Sequence, residues 1–180
     1  MAYGLEGDFV RLVPLDHVKH FENYLIWLND EAVTRHLLVE YPMNRLMEQE
    51  FFDMQRNNRD EIIWAIETLD GRHIGSSGVH KIDFRHRHCI TGSFIGDPEF
   101  QGKGLGTDAA RVRAKYLFET LNMHRVYSAY LGDNERSRRM QERIGAVETG
   151  RFPERYFRDG KYLDEVIMTL TREAWLANLK

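Results

Sequence analysis

The stretch Pro98-Glu99-Phe100-Gln101-Gly102-Lys103-Gly104-Leu105-Gly106-Thr107 joins a strand-like segment to an amphipathic one. Its three glycines, at alternate positions, let the backbone turn tightly and come close to a ligand. After about Thr107 the apolar residues recur at the spacing of one buried helix face: Ala110, Ala114, Leu117, Phe118 and Leu121. A glycine-rich turn that presents free N–H groups at a helix N-terminus is a typical phosphate or pyrophosphate site. The stretch therefore predicts a phosphorylated cofactor.

Two familiar phosphate loops do not fit this spacing. A P-loop requires Lys-Ser or Lys-Thr directly after its last glycine, but Leu105 and Gly106 separate Lys103-Gly104 from Thr107. A Rossmann turn reads G-x-G-x-x-G, with an acidic residue about 20 positions later for the ribose. Here the spacing is G-x-G-x-G, and no carboxylate stands near Val126. A nucleotide-binding enzyme that uses this glycine loop in another way is kept as an alternative hypothesis.

Composition indicates an ordinary soluble globular protein. Its 180 residues, 42% apolar and 29% charged, predict a single domain over residues 1–180 with a sizeable core. A net charge of −3 gives no footprint for nucleic-acid binding. The single cysteine, Cys89, fits a reducing compartment, and neither a membrane span nor a signal peptide is evident. We therefore expect a cytoplasmic protein without nucleic-acid or membrane partners.

Apolar periodicity predicts a mixed α/β layer. Strands are predicted at residues 9–13, 62–66, 74–82, 89–96, 126–130, 147–152 and 166–170. Asp70-Gly71 predicts a hairpin turn between the second and third of these strands. Helices are predicted after the N-cap Asp16, from residue 45 to about Arg56, from the glycine loop to Asn122, and over residues 135–144 with Gly145 as the stop.

The spacing Gln101-x-x-Gly104-x-Gly106 resembles the pyrophosphate loop of acetyl-CoA-dependent GNAT N-acetyltransferases. Residues 27–33, 134–146 and 156–164 resemble, in the same order, three further segments of one GNAT branch. That branch contains ribosomal-protein alanine, spermidine, and aminosugar or antibiotic N-acetyltransferases. The resemblance covers nearly the whole chain. It implies a single mixed α/β GNAT domain, whose central, mostly antiparallel sheet is splayed at the cofactor site and flanked by helices.

The resemblance also implies how acetyl-CoA, the co-substrate, would be held. Backbone groups of the strand before the loop would bind the pantetheine arm and the thioester carbonyl, at Ser93, Phe94 and Ile95. The amides of residues 101–107 would bind the pyrophosphate, and Lys103 would add positive charge there unless it is simply a solvated loop lysine. Asn134 would hydrogen-bond the pantetheine; the alternative is a plain helix N-cap.

The acid that protonates the departing CoA thiolate is less clear from the resemblance. Many relatives carry a tyrosine four residues before the glycine that aligns with Gly145, but this chain has Gln141 there. Ser137 stands where alanine N-acetyltransferases place a serine near the thiolate. It is the candidate general acid and a candidate contact of the cofactor; the alternative is a serine that satisfies the backbone at the helix N-terminus.

The residue that would take the proton from the amine is a second open assignment. A glutamate that is common in relatives ahead of the glycine of the splayed strand is replaced by Ile90. His80, and with it His36, are candidate bases or water-relay groups. An α-amine of pKa about 7.7–8.0 is partly neutral at pH 7, whereas a lysine-like amine near 10.4 is almost wholly protonated. Loss of the glutamate therefore favours an acceptor amine of low pKa.

A metal site is the less favoured interpretation of Arg85-His86-Arg87-His88. The H-x-H spacing followed by Cys89 suits metal ligands, but no partnering cluster is evident in the sequence. A basic turn fits better, and no metal is expected.

The acceptor is the least determined feature. The first two helices and the loop between them are expected to line its site, with Trp27, Asn29, Asp30, His36 and Tyr41 as candidates; Trp27 also suits the core. The acceptor predicted first is a protein N-terminal α-amine. A polyamine, aminosugar or antibiotic amine is the alternative, and a non-catalytic acyl-CoA-binding module is the alternative from another class. A homodimer is possible.

Overall fold

The computed structural model describes residues 5–55 and 58–179, in which seven strands form one sheet. The strands are β1 (Val10–Pro14), β2 (Ile62–Thr68), β3 (His73–Asp83), β4 (His88–Ile95), β5 (Arg125–Leu131), β6 (Val147–Arg158) and β7 (Lys161–Thr171). Their order across the sheet is β1-β2-β3-β4-β5-β7-β6. All neighbours are antiparallel except β4 and β5, which run parallel. The predicted mixed, mostly antiparallel sheet is confirmed.

Six α-helices flank this sheet in the described part of the chain. They are α1 (His17–Trp27), α2 (Glu31–Thr34), α3 (Arg45–Met54), α4 (Leu105–Lys115), α5 (Glu135–Arg143) and α6 (Arg172–Asn178). A larger core contains the apolar face of α4, and a smaller aromatic cluster joins α1 to α3 through Phe21, Tyr24 and Phe52. Of the predicted ends, Arg56 lies outside the described residues.

Short polar side chains fix where the helices begin. Asp16 accepts the N–H groups of Val18 and Lys19 at the start of α1, as the sequence predicted. The carboxylate of Asp108, in the first turn of α4, accepts the N–H groups of Phe9 and Val10. This long-range contact fastens α4 to β1 and sets the position of the glycine loop that precedes the helix.

Five elements differ from the sequence prediction. Helix α4 begins at Leu105 rather than near Thr107 and continues into a π-helical turn, Tyr116–Thr120. Strands β6 and β7 are longer than predicted and form a hairpin whose turn lies between Arg158 and Lys161. Helices α2 and α6 were not predicted; each has at most seven residues, too few for a clear apolar period.

The parallel pair β4 and β5 separates partway along its length. Pairing runs from His88 with Arg125 to Thr91 with Ser128 and then ends. Strand β4 continues to Ile95 along β3, and β5 continues to Leu131 along β7. The two strands therefore diverge after Thr91 and Ser128, which we call the apex of the splay.

Candidate functional site

A cleft of about 780 Å³ opens between the diverging strands β4 and β5. Its walls include Ser93, Phe94 and Ile95 on β4, together with Ala129 and Tyr130 on β5. The glycine loop closes one end, and α4 and α5 flank the cleft. The three β4 residues that the sequence placed at a pantetheine arm are thus brought together with the loop.

The loop presents backbone N–H groups toward this cleft. Gly102 and Gly104 have φ values of 74° and 86°, in the left-handed region that favours glycine. Gly104 is the N-cap of α4 and supplies no side-chain cap. The N–H groups of residues 102–106 have no hydrogen-bond acceptor among the described residues. Open N–H groups at a helix N-terminus form a site for an anion.

A cation that the sequence did not single out, Arg136, lies beside the loop. Arg136 lines the cleft and donates from Nη1 to Oε1 of Gln101, over 3.1 Å, while Gln101 donates to the carbonyl of Ile95. Lys103 does not line the cleft; its Nζ lies 5.6 Å from the ring centroid of Phe100. Leu105, also a loop residue, packs against the core instead. The remaining predicted loop residues, which do line the cleft, are Gln101, Gly102, Gly104, Gly106 and Thr107.

A chain of side-chain hydrogen bonds leads from the apex to Ser137. The hydroxyl of Ser128 donates to Oε1 of the buried Gln141, and Nε2 of Gln141 donates to Oγ of Ser137 over 3.3 Å. Ser137 Oγ accepts in this bond, so its own O–H is left to donate into the cleft. Asn134 lines the cleft too, and its side chain accepts the Ser137 N–H over 3.1 Å, which is the N-cap contact.

His80, on β3, forms a pair with a carboxylate. Nδ1 of His80 lies 3.0 Å from Oε1 of Glu61, and His80 lines the cleft. A carboxylate at Nδ1 fixes the tautomer that has its proton there, which leaves Nε2 free to accept one. A Cβ placed on Gly78 would lie 2.6 Å from this Nε2, so only glycine leaves room for the ring at that position. Gly78 pairs with Gly92, the residue after the apex.

A second histidine, His36, also lines the cleft. Its Nε2 lies 3.4 Å from Oδ1 of Asp133. Burial lowers the pKa of His36 below its ordinary value, and the Asp133 carboxylate opposes that effect. His36 is therefore suited to accept a proton or to hold a water in its neutral form.

The other four predicted substrate residues do not line the cleft. Trp27 is buried and packs on Gly96 and against Phe94. Asn29 binds the backbone of Leu25 and Met43, Asp30 caps α2, and Tyr41 is exposed. These contacts give Asn29 and Asp30 structural roles in holding the segment that carries His36. Their part in binding an acceptor stays a prediction.

Within residues 5–55 and 58–179, no three potential ligands cluster as a metal site would require. Cys89 is fully buried, and burial raises the pKa of its thiol to about 11. No helix in the same part of the chain is long and apolar enough to cross a membrane.

Sequence reasoning missed Arg136, Glu61 and Ser128. Arg136 lay inside a recognised motif, but only the fold brings its guanidinium to the loop. Glu61 stands 19 positions before His80, and Ser128 stands 13 before Gln141; no local pattern joins either pair. Antiparallel register brings Glu61 to His80, and the packing of α5 beside β5 and the loop brings Gln141 to Ser128 and Arg136 to Gln101.

Comparisons with known proteins agree with this architecture. Spermidine N(1)-acetyltransferase of Escherichia coli K12 is 27% identical over 172 residues, which cover 95% of this chain and 90% of that protein. The ribosomal protein uS5-alanine N-acetyltransferase of the same organism is 32% identical over 87 residues, 48% of this chain and 44% of that protein.

Among solved structures, spermidine N-acetyltransferase from Vibrio cholerae in complex with CoA and spermine has the same fold. It superposes with a TM-score of 0.85 at 23% identity and covers 93% of this chain and 98% of that one. The family model of the acetyltransferase (GNAT) domain matches residues 10–147. Because this match covers well over half of the chain, the chain belongs to the GNAT family of acetyltransferases.

Proposed function

We propose that the chain transfers the acetyl group of acetyl-CoA to a primary amine. One observation carries the proposal: open N–H groups of the glycine loop, the free edge of β4 and the Ser137 hydroxyl meet in one cleft. GNAT enzymes use acetyl-CoA as co-substrate, and the Vibrio cholerae relative was solved with CoA. The loop N–H groups and Arg136 suit the pyrophosphate, and the β4 edge suits the pantetheine amides.

The side chains at the apex suit direct attack by a neutral amine. The amine nitrogen forms a bond to the thioester carbonyl carbon as the carbon–sulfur bond breaks. His80 Nε2 takes the amine proton, while Glu61 holds the Nδ1 proton. The Ser137 hydroxyl donates a hydrogen bond to the departing thiolate and passes on a proton from water, close to the N-terminus of α5, which stabilises negative charge.

A polyamine is the acceptor that the comparisons favour over the peptide α-amine predicted from the sequence. The spermidine N(1)-acetyltransferase relative matches along 95% of this chain, whereas the alanine N-acetyltransferase matches along 48%. Two carboxylates, Glu61 and Asp133, stand directly behind the histidines at the cleft. They provide negative charge for an acceptor that carries several ammonium groups.

The cleft wall itself favours a second candidate, an amine with less positive charge. Among the described residues, those that line the cleft include four arginines and no Asp or Glu: Arg113, Arg136, Arg139 and Arg143. A polyamine gains no direct ion pair from such a wall. The α-amine of a peptide reacts in its neutral form and needs no ion pair with the cleft wall. It therefore stays the second candidate.

Thiol release from acetyl-CoA, measured with a panel of amines, tests both candidate acceptors. The panel contains spermidine, an N-terminal Ala or Ser peptide, an aminosugar and an aminoglycoside. We expect spermidine to give the highest kcat/KM; exclusive turnover of the peptide would replace it by the second candidate. Calorimetry with acetyl-CoA, CoA, ATP and NAD adds a separate criterion. Tighter binding of a nucleotide than of acetyl-CoA would contradict the proposal, and binding of acetyl-CoA without turnover of any amine would indicate a non-catalytic module.

A further inference from the structure

Arg113 is a buried cation without an acidic partner. It is 4% exposed on α4, and its Nη1 donates to Oγ of Ser77 over 2.8 Å and to the carbonyl of Gly92 over 2.9 Å. No carboxylate within the described residues pairs with it. The neighbouring thiol of Cys89 is neutral at pH 7, because burial raises its pKa to about 11. Burying a charge without a counter-charge costs several kcal/mol.

The rest of the guanidinium faces open space. Both hydrogen bonds come from Nη1, and Nε and Nη2 have no acceptor among the described residues. Neither atom is among the fully buried side-chain atoms without a partner, which in this part of the chain are the two carboxylate oxygens of Glu48. Arg113 lines the cleft, so its free donors reach that space. Burial lowers its pKa to about 10, which leaves it charged at pH 7.

This charge lies at the apex of the splay. Gly92, whose carbonyl it binds, follows the last residue of β4 that pairs with β5. Ser128, across the apex, leads through Gln141 to Ser137. A thioester sulfur that lies beside Ser137 places its acyl carbon at this apex.

The cleft continues past the apex, between α4 and the strands β5 and β7. Small and apolar side chains line this inner part: Ala110, Ala114, Leu117, Val126 and Leu170. The two alanines stand on α4 on either side of Arg113 and leave space beside its side chain. Methylene groups fit this lining, and a carboxylate fits the free edge of the guanidinium as a bidentate partner.

We propose that the inner end of the cleft binds the terminal carboxylate of an acyl group, so that the enzyme also accepts CoA thioesters of dicarboxylic acids, such as succinyl-CoA. The inference rests on the proposed acyltransferase function. The reaction has the same balance as acetyl transfer. The amine nitrogen bonds to the thioester carbonyl carbon, the carbon–sulfur bond breaks, the base takes the amine proton, and the thiolate receives a proton. The products are an N-succinyl amide and CoA.

Binding measurements test the inference without knowledge of the acceptor. Calorimetry compares succinyl-CoA with butyryl-CoA, which has the same number of acyl carbons but no carboxylate, and with acetyl-CoA. We expect succinyl-CoA to bind about tenfold more tightly than butyryl-CoA to the wild-type protein. In Arg113→Leu the order reverses, because the charged tail then enters an apolar pocket. Arg113→Leu removes a buried charge together with its hydrogen bonds to Ser77 and Gly92, and thermal unfolding checks that the variant is folded.

The binding measurements distinguish failure of this inference from failure of the proposed function. Equal affinity of wild type for succinyl-CoA and butyryl-CoA would overturn the inference while leaving the acetyltransferase proposal standing. A tenfold preference that persists in Arg113→Leu would also overturn it, since the carboxylate would then bind elsewhere. Failure to bind any CoA thioester would contradict the proposed function itself. Should Arg113→Leu fail to fold, Arg113→Lys, which keeps the charge but not the bidentate edge, is expected to show a weakened preference.

Discussion

The two ends of the cleft are built in different ways. At the cofactor end, where we propose that the pyrophosphate binds, most groups come from one continuous stretch, residues 101–107, and are backbone N–H groups whose direction follows from Gly102 and Gly104. At the acceptor end the groups are the side chains of His36 and His80, which come from distant parts of the chain. Each lies beside a carboxylate from a distant segment of the chain, Asp133 for His36 and Glu61 for His80. A contiguous backbone site tolerates changes in the surrounding side chains, whereas a site built from scattered side chains changes with each substitution.

The largest effect is expected at Ser137, where the two ends meet. Replacing Ser137 by Ala removes the hydroxyl that donates toward the thiolate, an interaction that matters in the transition state more than in the ground state. We expect kcat to fall about 100-fold, the lower end of the range for general acid catalysis. The Kd of acetyl-CoA, measured by calorimetry, should be unchanged.

Gln141 provides the companion experiment to this substitution. Gln141→Tyr places a phenol where many relatives carry one, and in the Ser137→Ala background it should restore part of the lost turnover. Full turnover of Ser137→Ala alone would show that water or another side chain protonates the thiolate, and the role of Ser137 would be withdrawn.

The contrast between a contiguous stretch and scattered side chains also explains which features the sequence predicted well. The glycine loop, the following helix and the strands before it were all predicted, because each depends on local spacing and on residues that act in sequence. The Asp16 cap is predictable for the same reason. Local physics also accounts for the apolar strands β2 and β3, whose turn at Asp70 and Gly71 the sequence identified.

What the sequence did not predict depends on register. The pair of His80 with Glu61 arises because β3 folds back on β2 and brings the two side chains together. The position of Arg113 follows the helical period of α4 and would suit an apolar residue, so the pattern gave no reason to single it out. Trp27 was a candidate for the cleft lining with the core as its alternative, and the structure buries it because the absence of a side chain at Gly96 lets the ring pack there.

The next largest effect concerns the stability of α3, which packs against α1. Glu48 on α3 is fully buried, its carboxylate oxygens have no partner in the described residues, and burial raises its pKa to about 7. The folded protein therefore binds this proton more tightly than the unfolded chain, in which the pKa is near 4.5. Stability should fall as pH rises from about 4.5 to above 7, because the carboxylate must then ionise in an apolar site.

Two substitutions measure this effect by urea unfolding at pH 5 and pH 8. Glu48→Leu should raise the free energy of unfolding by about 2 kcal/mol at pH 8 and by less at pH 5. Glu48→Gln should remove the part of the pH dependence that lies between pH 5 and pH 8. A pH dependence that is identical in wild type and Glu48→Gln would mean that Glu48 does not titrate in this range.

A smaller effect, on binding alone, is expected at the cofactor end. Gly104→Val strains a residue whose φ is 86° and places a branched side chain at the loop surface. The Kd of acetyl-CoA should rise by about tenfold, equal to about 1.4 kcal/mol. Calorimetry of folded variants measures this change.

Gly160, in the β6–β7 turn, offers a matched control for Gly104. It has a φ of 78°, and a Cβ at either glycine would meet no atom within 4 Å, yet Gly160 does not line the cleft. Gly160→Val should cost similar stability and leave the Kd unchanged. If both variants raise the Kd equally, strain rather than the loop surface is responsible.

The smallest effect is expected at Glu61, the support of the acceptor end. Glu61→Gln keeps an oxygen that accepts the Nδ1 proton of His80 but removes its charge, which weakens the hydrogen bond by about 1 kcal/mol. We expect kcat/KM for the amine to fall about fivefold, with no change in the Kd of acetyl-CoA. Asp83→Asn is the matched control, because Asp83 lies on β3 and pairs with His88, 3.8 Å away and outside the cleft. It should leave kcat/KM unchanged. An equal loss in both variants would assign the effect to the removal of a negative charge in general, and not to the contact of Glu61 with His80.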